Sequence, residues 1–145
     1  MKPCLDYTLH YISRFPKTEF ELRLQLRKKG YKEDEIDESI GEMKKLNYVN
    51  DREYTRLYLS SECERKGKPL FKVKGKLMSK GVEKDLIIEV EQEMEEEIKE
   101  GQMRKIDKEI DLLKGKWLDG IEIIQKLQGR GYGFELIKEV IENRD

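Results

Sequence analysis

The chain has 145 residues, of which 42% are charged and only 8% aromatic, and its formal net charge is -1. That length allows one ordinary domain or a short array of small units. No apolar run approaches the roughly 18 residues of a membrane span, and "MKPCLDYTLHYISRF" carries polar residues too early for a signal peptide, so a cytoplasmic protein is expected. Prolines occur only at positions 3, 16 and 69, and the remainder is rich in Glu, Lys, Leu and Ile, which predicts an all-α fold. Cys4 and Cys63 stand alone, so neither a disulfide framework nor a zinc site is expected, and both read as free thiols.

In chain order, a first helix is predicted from about Leu5 to Arg14. Thr18 and Glu21 then have the spacing of a capping box and open a second helix, but the run "FELRLQLRKKG" alternates apolar and polar residues like a half-buried strand. A third helix starts near Glu33, with its acids at the positive end of the helix dipole. Asp51 is placed to cap a helix from Arg52 to about Lys66. Pro69 suits the first turn of the next helix, which is followed by another from near Glu83. Segments from Gln102 to Gly115, from the Asp119 cap and from Gly133 complete the set, with Trp117 expected to staple the helix that Asp119 caps.

An internal repeat decides between strand and helix. "FELRLQLRKKGYKEDEI", "FKVKGKLMSKGVEKDLI" and "IEIIQKLQGRGYGFELI", beginning at Phe20, Phe71 and Ile121, share seven columns. These are Phe20/Phe71/Ile121, Leu22/Val73/Ile123, Leu26/Leu77/Leu127, Lys29/Lys80/Arg130, Gly30/Gly81/Gly131, Tyr31/Val82/Tyr132 and Ile36/Ile87/Ile137. At about 100° per residue the second and third copies each place their apolar residues on one broad helical face. The first copy looks alternating only because Leu24 is added, making it a helix buried on two sides or one carrying an exposed leucine. The matching glycines fall where a left-handed residue would end each helix, and the apolar residue that follows can fold back onto the last turn. Three tandem three-helix repeats are therefore expected at residues 1–48, 49–101 and 102–145, stacked into an elongated, curved array that offers an extended surface.

Catalytic chemistry has no foothold. His10 lacks neighbours at metal-ligand spacing, and there is no GxxxxGK[ST] loop, GxSxG elbow or paired-cysteine motif. "GRGYG" at Gly129–Gly133 lies in the repeat's turn, Glu95 to Glu97 read as a solvated helix surface, and Tyr7, Tyr11, Tyr48, Tyr54 and Tyr58 read as packing residues. No metal or cofactor is expected. Charge, by contrast, is segregated: Arg65 to Lys84 holds eight basic residues against one acid, and Glu89 to Glu100 holds seven acids against Lys99. Lys68, Lys72, Lys76 and Lys80 are spaced by four and form one stripe opposite the apolar arc. Such a stripe either solubilises the helix, partly neutralised by the acidic segment, or meets a phosphate backbone or an acidic protein groove. The first copy carries Lys17, Glu21, Gln25 and Lys29 at these positions, a weaker version.

The ordered pieces "YISRFPKTEFELRLQLRKKGYKEDEIDESIGEMKKLNYVNDREYTRLYL", "ERKGKPLFKVKGKLMSKGV" and "IIQKLQGRGYGFELIKEVI", from about Tyr11 to Ile141, resemble the RecX family of bacterial RecA regulators. The resemblance rests on Ser13-Arg14, Thr18-x-x-Glu21-Leu22, Lys29-Gly30-Tyr31, Asn50-Asp51-x-x-Tyr54, Lys66-Gly67 and the two later glycine turns. It implies a non-enzymatic, monomeric regulator that binds RecA or the RecA-DNA filament and inhibits recombination, ATPase and SOS co-protease activities, with DNA itself as a further partner. It also implies Arg14, Arg23, Lys29, Lys66, Lys68, Lys72, Lys76 and Lys80 as contacts to RecA or DNA phosphates, and Gly30, Gly81, Gly131 and Asp51 as structural. Lys76 stands where the family more often has an acid, and Thr55 where alanine is common. The alternative from the residues alone is a general helix-turn-helix module acting on bare DNA.

Overall fold

In a computed structural model, which describes residues 3–144, the chain folds as nine α-helices and one π-helical segment, with no strand among the described residues. The helices are α1 (Pro3–Arg14), α2 (Glu19–Lys28), α3 (Glu33–Lys45), α4 (Asp51–Leu59), α5 (Leu70–Ser79), α6 (Lys84–Glu93), α7 (Glu95–Lys114), α8 (Gly120–Gly129) and α9 (Phe134–Asn143). The π-helical turns, Ser60–Arg65, continue α4. The all-α expectation matches this structure, and "FELRLQLRKKG" is a helix with Leu22 and Leu26 buried and Leu24 exposed.

Local chemistry accounts for most boundaries. The Thr18 side chain accepts from the Glu21 N–H while Glu21 accepts from the Thr18 N–H, so the capping box satisfies two donors that helix geometry leaves orphaned. After α2, α5 and α8 the chain turns through Gly30, Gly81 and Gly131, at φ of 90°, 83° and 109°. The next residue's N–H returns to Leu26, Leu77 or Leu127, the last buried leucine of each helix. Only glycine occupies this left-handed region without steric cost, so one solution ends all three helices.

Four expectations are corrected. Asp51 does not cap the helix that follows it. Asn50 does so, accepting from the Glu53 N–H, while the Asp51 carboxylate reaches back to accept from the Glu19 N–H at 2.9 Å and so caps α2. The seventh helix begins at Glu95 rather than Gln102, because the backbone bends at Met94 (φ -108°) and restarts with Glu95, Glu96 and Glu97 in a first turn that favours acids. Trp117 is not a staple: it is 95% exposed, and Leu118 packs against the core instead. Tyr48 is exposed rather than packed.

Two compact units result. One runs to Thr55 and takes in Leu77–Ile88; the other comprises Arg56–Lys76 and the chain from Glu89 onward. The first is organised on Cys4, Ile12, Leu22, Leu26, Ile36, Ile40, Met43 and Val49 from α1 to α3 and the turn beyond. The second has Ile106, Ile110, Leu113, Ile123, Leu127, Tyr132, Ile137 and Val140, from α7 to α9.

Candidate partner-binding face

The second unit contains a platform made from the residues that lead into α5. Widening of α4 into π turns lets the Lys66 N–H bond the Ser61 carbonyl at 3.2 Å and the Lys68 N–H bond the Glu62 carbonyl at 2.9 Å. Helix α7 clamps this segment. A Cβ on Gly101 would lie 2.2 Å from the Glu64 carbonyl oxygen, so α7 approaches the wide turns as closely as glycine permits. Arg104 donates to the Glu64 carbonyl, Gln102 to the Lys68 carbonyl and the Tyr132 hydroxyl to the Gly67 carbonyl. The carbonyls are thereby paired and the chain that carries Lys66 and Lys68 is fixed.

In front of the platform lies a cleft of about 400 Å³ lined by Tyr58, Glu62, Lys68, Pro69, Lys72, Val73 and Lys76. Pro69 and Val73 are buried and form an apolar floor, while Lys68, Lys72 and Lys76 are exposed around it. Glu62 is the counter-charge within the cleft: its carboxylate pairs with Lys66 at 2.9 Å and Lys68 at 3.1 Å. The hydrogen bond from Lys66, with further help from Lys68, holds its carboxyl below the usual carboxylate range. Three lysines over an apolar floor suit an anion on an apolar body, whether phosphate or carboxylate.

The structure gathers some of the expected contacts and separates others. Lys68, Lys72 and Lys76 share the cleft, and Lys66 joins it through Glu62. Helix α5 spans only Leu70–Ser79, so Lys68 precedes the helix and Lys80 follows it. Lys80 belongs to the first unit, where its Nζ lies 3.5 Å from Glu21. The acidic segment reaches Lys74 through Glu91 at 3.1 Å. Arg23 is engaged by Asp37 at 2.6 Å and Glu19 at 3.6 Å. Lys29 lies over the Tyr7 ring, 5.3 Å from its centroid, and Arg14 is exposed at the end of α1. Sequence reasoning missed Tyr58 as a cleft residue and Glu62 as its internal anion. The i,i+4 spacing of Glu62 and Lys66 was the available signal.

Burial pushes the Cys63 thiol up to about 12, which leaves it unreactive at neutral pH. Both cysteines are free and buried, and among the described residues no group of carboxylates, thiols or imidazole could hold a metal ion. Nor is any described helix long and apolar enough to cross a membrane.

Residues 4–43 match the family model for RecX, first three-helix domain. The regulatory protein RecX of Clostridium botulinum is 31% identical over 144 residues, covering 96% of this chain and 67% of its own length. The chain belongs to the RecX family. The RecX fold is also seen in two crystal structures similar to this one. RecX from Lactobacillus salivarius superposes with a TM-score of 0.83 at 21% identity, over 97% of this chain and 93% of that one. A second regulatory protein RecX gives 0.77 at 15% identity, over 96% and 70%.

Proposed function

We propose that this RecX family member is a non-enzymatic cytoplasmic regulator that binds RecA or the RecA-DNA filament and inhibits its recombination, ATPase and SOS co-protease activities. The observation that supports this reading is the cleft in which Lys68, Lys72 and Lys76 surround an apolar floor on a rigid platform. An anionic groove of protein and nucleic acid meets such a face with both charge and apolar area. Arg14, Arg23, Lys29, Lys66 and Lys80 are secondary candidates on the same reading. The chain acts as a monomer in dilute solution and is organised as repeats at residues 1–48, 49–101 and 102–145.

The test is RecA ATP hydrolysis and strand exchange on single-stranded DNA with increasing amounts of the protein, together with co-sedimentation with RecA filaments. Dose-dependent inhibition and co-sedimentation are expected; no effect at saturation overturns the reading. A module for bare DNA is favoured by Tyr58 beside the lysines, since an aromatic face and cations together suit unstacked bases. It predicts salt-sensitive binding to bare DNA that disappears when Lys68, Lys72, Lys76 and Lys80 become Ala. If those changes spare bare-DNA affinity but abolish RecA inhibition, the second reading fails.

A further inference from the structure

The repeat contains a contact that recurs one copy along. In the first unit Phe20, at the start of α2, covers the turn after α5: a Cβ on Gly81 would lie 2.2 Å from the Phe20 Cβ. In the second unit Phe71, at the start of α5, covers the turn after α8: a Cβ on Gly131 would lie 2.3 Å from its ring. Each apolar residue that opens a middle helix therefore sits on the glycine turn of the following copy. A different further contact accompanies each occurrence. Glu21, next to Phe20, pairs with Lys80, next to Gly81. The carbonyl of Gly67, four residues before Phe71, accepts from the hydroxyl of Tyr132, next to Gly131.

Both halves of this arrangement are left open once. Ile121 occupies the column of Phe20 and Phe71 but is 70% exposed, against 43% and 60% for those two. Gly30 occupies the column of Gly81 and Gly131, yet a Cβ there would meet no described atom within 4 Å. Each flanking contact, present in one internal copy, has its counterpart here: the charge pair of the first, where the second has Lys72 and Arg130, and the hydroxyl of the second, where the first has Val82. Glu122, next to Ile121, has the sign of Glu21, and Lys29, next to Gly30, has the sign of Lys80. Trp117, four residues before Ile121, adopts φ 63°, close to the 69° of Gly67 that presents its carbonyl to Tyr132. Tyr31, next to Gly30, supplies the same hydroxyl as Tyr132. A left-handed tryptophan that is almost wholly exposed is costly for a lone chain.

We propose that a second copy of this chain docks head to tail, with Ile121 of one molecule on the Gly30 turn of the next, Glu122 facing Lys29 and the Tyr31 hydroxyl facing the Trp117 carbonyl. The internal contacts supply the template and the charges at the two faces are complementary. The interaction is heterologous, so a pair keeps one open face of each kind and growth continues beyond the dimer. It involves a single turn and one aliphatic side chain, so it is weak in dilute solution and strengthens where copies are held side by side.

Sedimentation velocity of the free protein up to millimolar concentration tests this without RecA or DNA, independently of the proposed function. The wild type is expected to form a concentration-dependent ladder beyond the dimer, and I121D, at an exposed site, to lose it with unchanged circular dichroism. E122K and K29E each place like charges across the contact and are expected to remain monomeric. An equimolar mixture of the two restores opposite charges at every junction and is expected to regain the ladder. A wild type that stays monomeric, an assembly that stops at dimers, or a mixture that sediments as two non-interacting proteins overturns the proposal.

Discussion

The Tyr132 hydroxyl donates a 2.7 Å hydrogen bond to the carbonyl of Gly67, 65 residues earlier, and ties the turn after α8 to the platform before α5. Burial pushes the Tyr132 phenol up to about 12, so the group stays a donor throughout the physiological range. Tyr132→Phe leaves a buried carbonyl without that partner and is expected to cost about 1–3 kcal/mol. Urea unfolding monitored by circular dichroism measures it. An unchanged midpoint refutes the role assigned to the bond.

Two glycines of one sequence column have different surroundings. Gly30 and Gly81 both have positive φ, but only at Gly81 would a Cβ strike Phe20. Gly30→Ala carries the left-handed penalty alone, about 1 kcal/mol. Gly81→Ala adds displacement of the Phe20 ring and is expected to cost at least about 1–3 kcal/mol more. Thermal melts of the two variants compare them directly; equal losses remove the stacking contact from the account.

Asp51 supplies an acceptor to the Glu19 N–H, yet desolvation raises its carboxyl above the ordinary 3.8, outweighing the backbone hydrogen bond that lowers it. The folded chain therefore holds this proton more tightly than the unfolded chain. Its stabilising effect is complete below the unfolded value and is lost as pH rises through the folded one. Asp51→Asn retains an acceptor without the charge and is expected to be neutral or mildly stabilising at pH 7, with a flatter acid profile. Asp51→Ala is expected to cost about 1–2 kcal/mol. Denaturant titrations from pH 3 to 7 distinguish these outcomes.

Much of the fold could be read from the sequence because its signals are local or periodic. The Thr18–Glu21 box depends on spacing within one short segment, and the glycine turns and apolar columns on spacing that three copies display together. Partners distant in sequence were not legible. Asp51 stands where a cap for α4 would stand, and nothing near it reveals that Glu19 is its partner, 32 residues away. The π turns at Ser60–Arg65 have no composition of their own, and their fit depends on Gly101 in α7. For the candidate face, the basic stripe announced Lys68, Lys72 and Lys76, but Lys80, beyond the end of α5, is engaged by Glu21 in the first unit, a partner 59 residues away.

Under the proposed function, charge in the cleft is expected to set affinity for the RecA filament. Replacing Lys68, Lys72 and Lys76 together by Ala removes three partly solvated contacts at about 1 kcal/mol each, or on the order of 100-fold in affinity. Single changes are expected to be a few-fold. Co-sedimentation at two salt concentrations measures both the loss and the shallower salt dependence that must accompany it. A triple variant with unchanged binding removes the cleft from the interface.

Glu62 provides the opposite manipulation. Its carboxylate occupies Lys66 and Lys68 from within the cleft and has a lowered pKa through the Lys66 hydrogen bond first. The sign of its linkage is therefore opposite to that of Asp51. The pair's stabilisation is present above the unfolded pKa of a glutamate, near 4.5, and is lost as pH falls through the lower folded value. Glu62→Gln is expected to destabilise the fold at pH 7 and to flatten the acid limb of its stability profile. The same substitution leaves both lysines without their internal anion, so filament affinity is expected to rise a few-fold at low salt while stability falls. A purely structural Glu62 would lower both together, and fluorescence anisotropy on RecA-DNA filaments beside a urea titration separates the two outcomes.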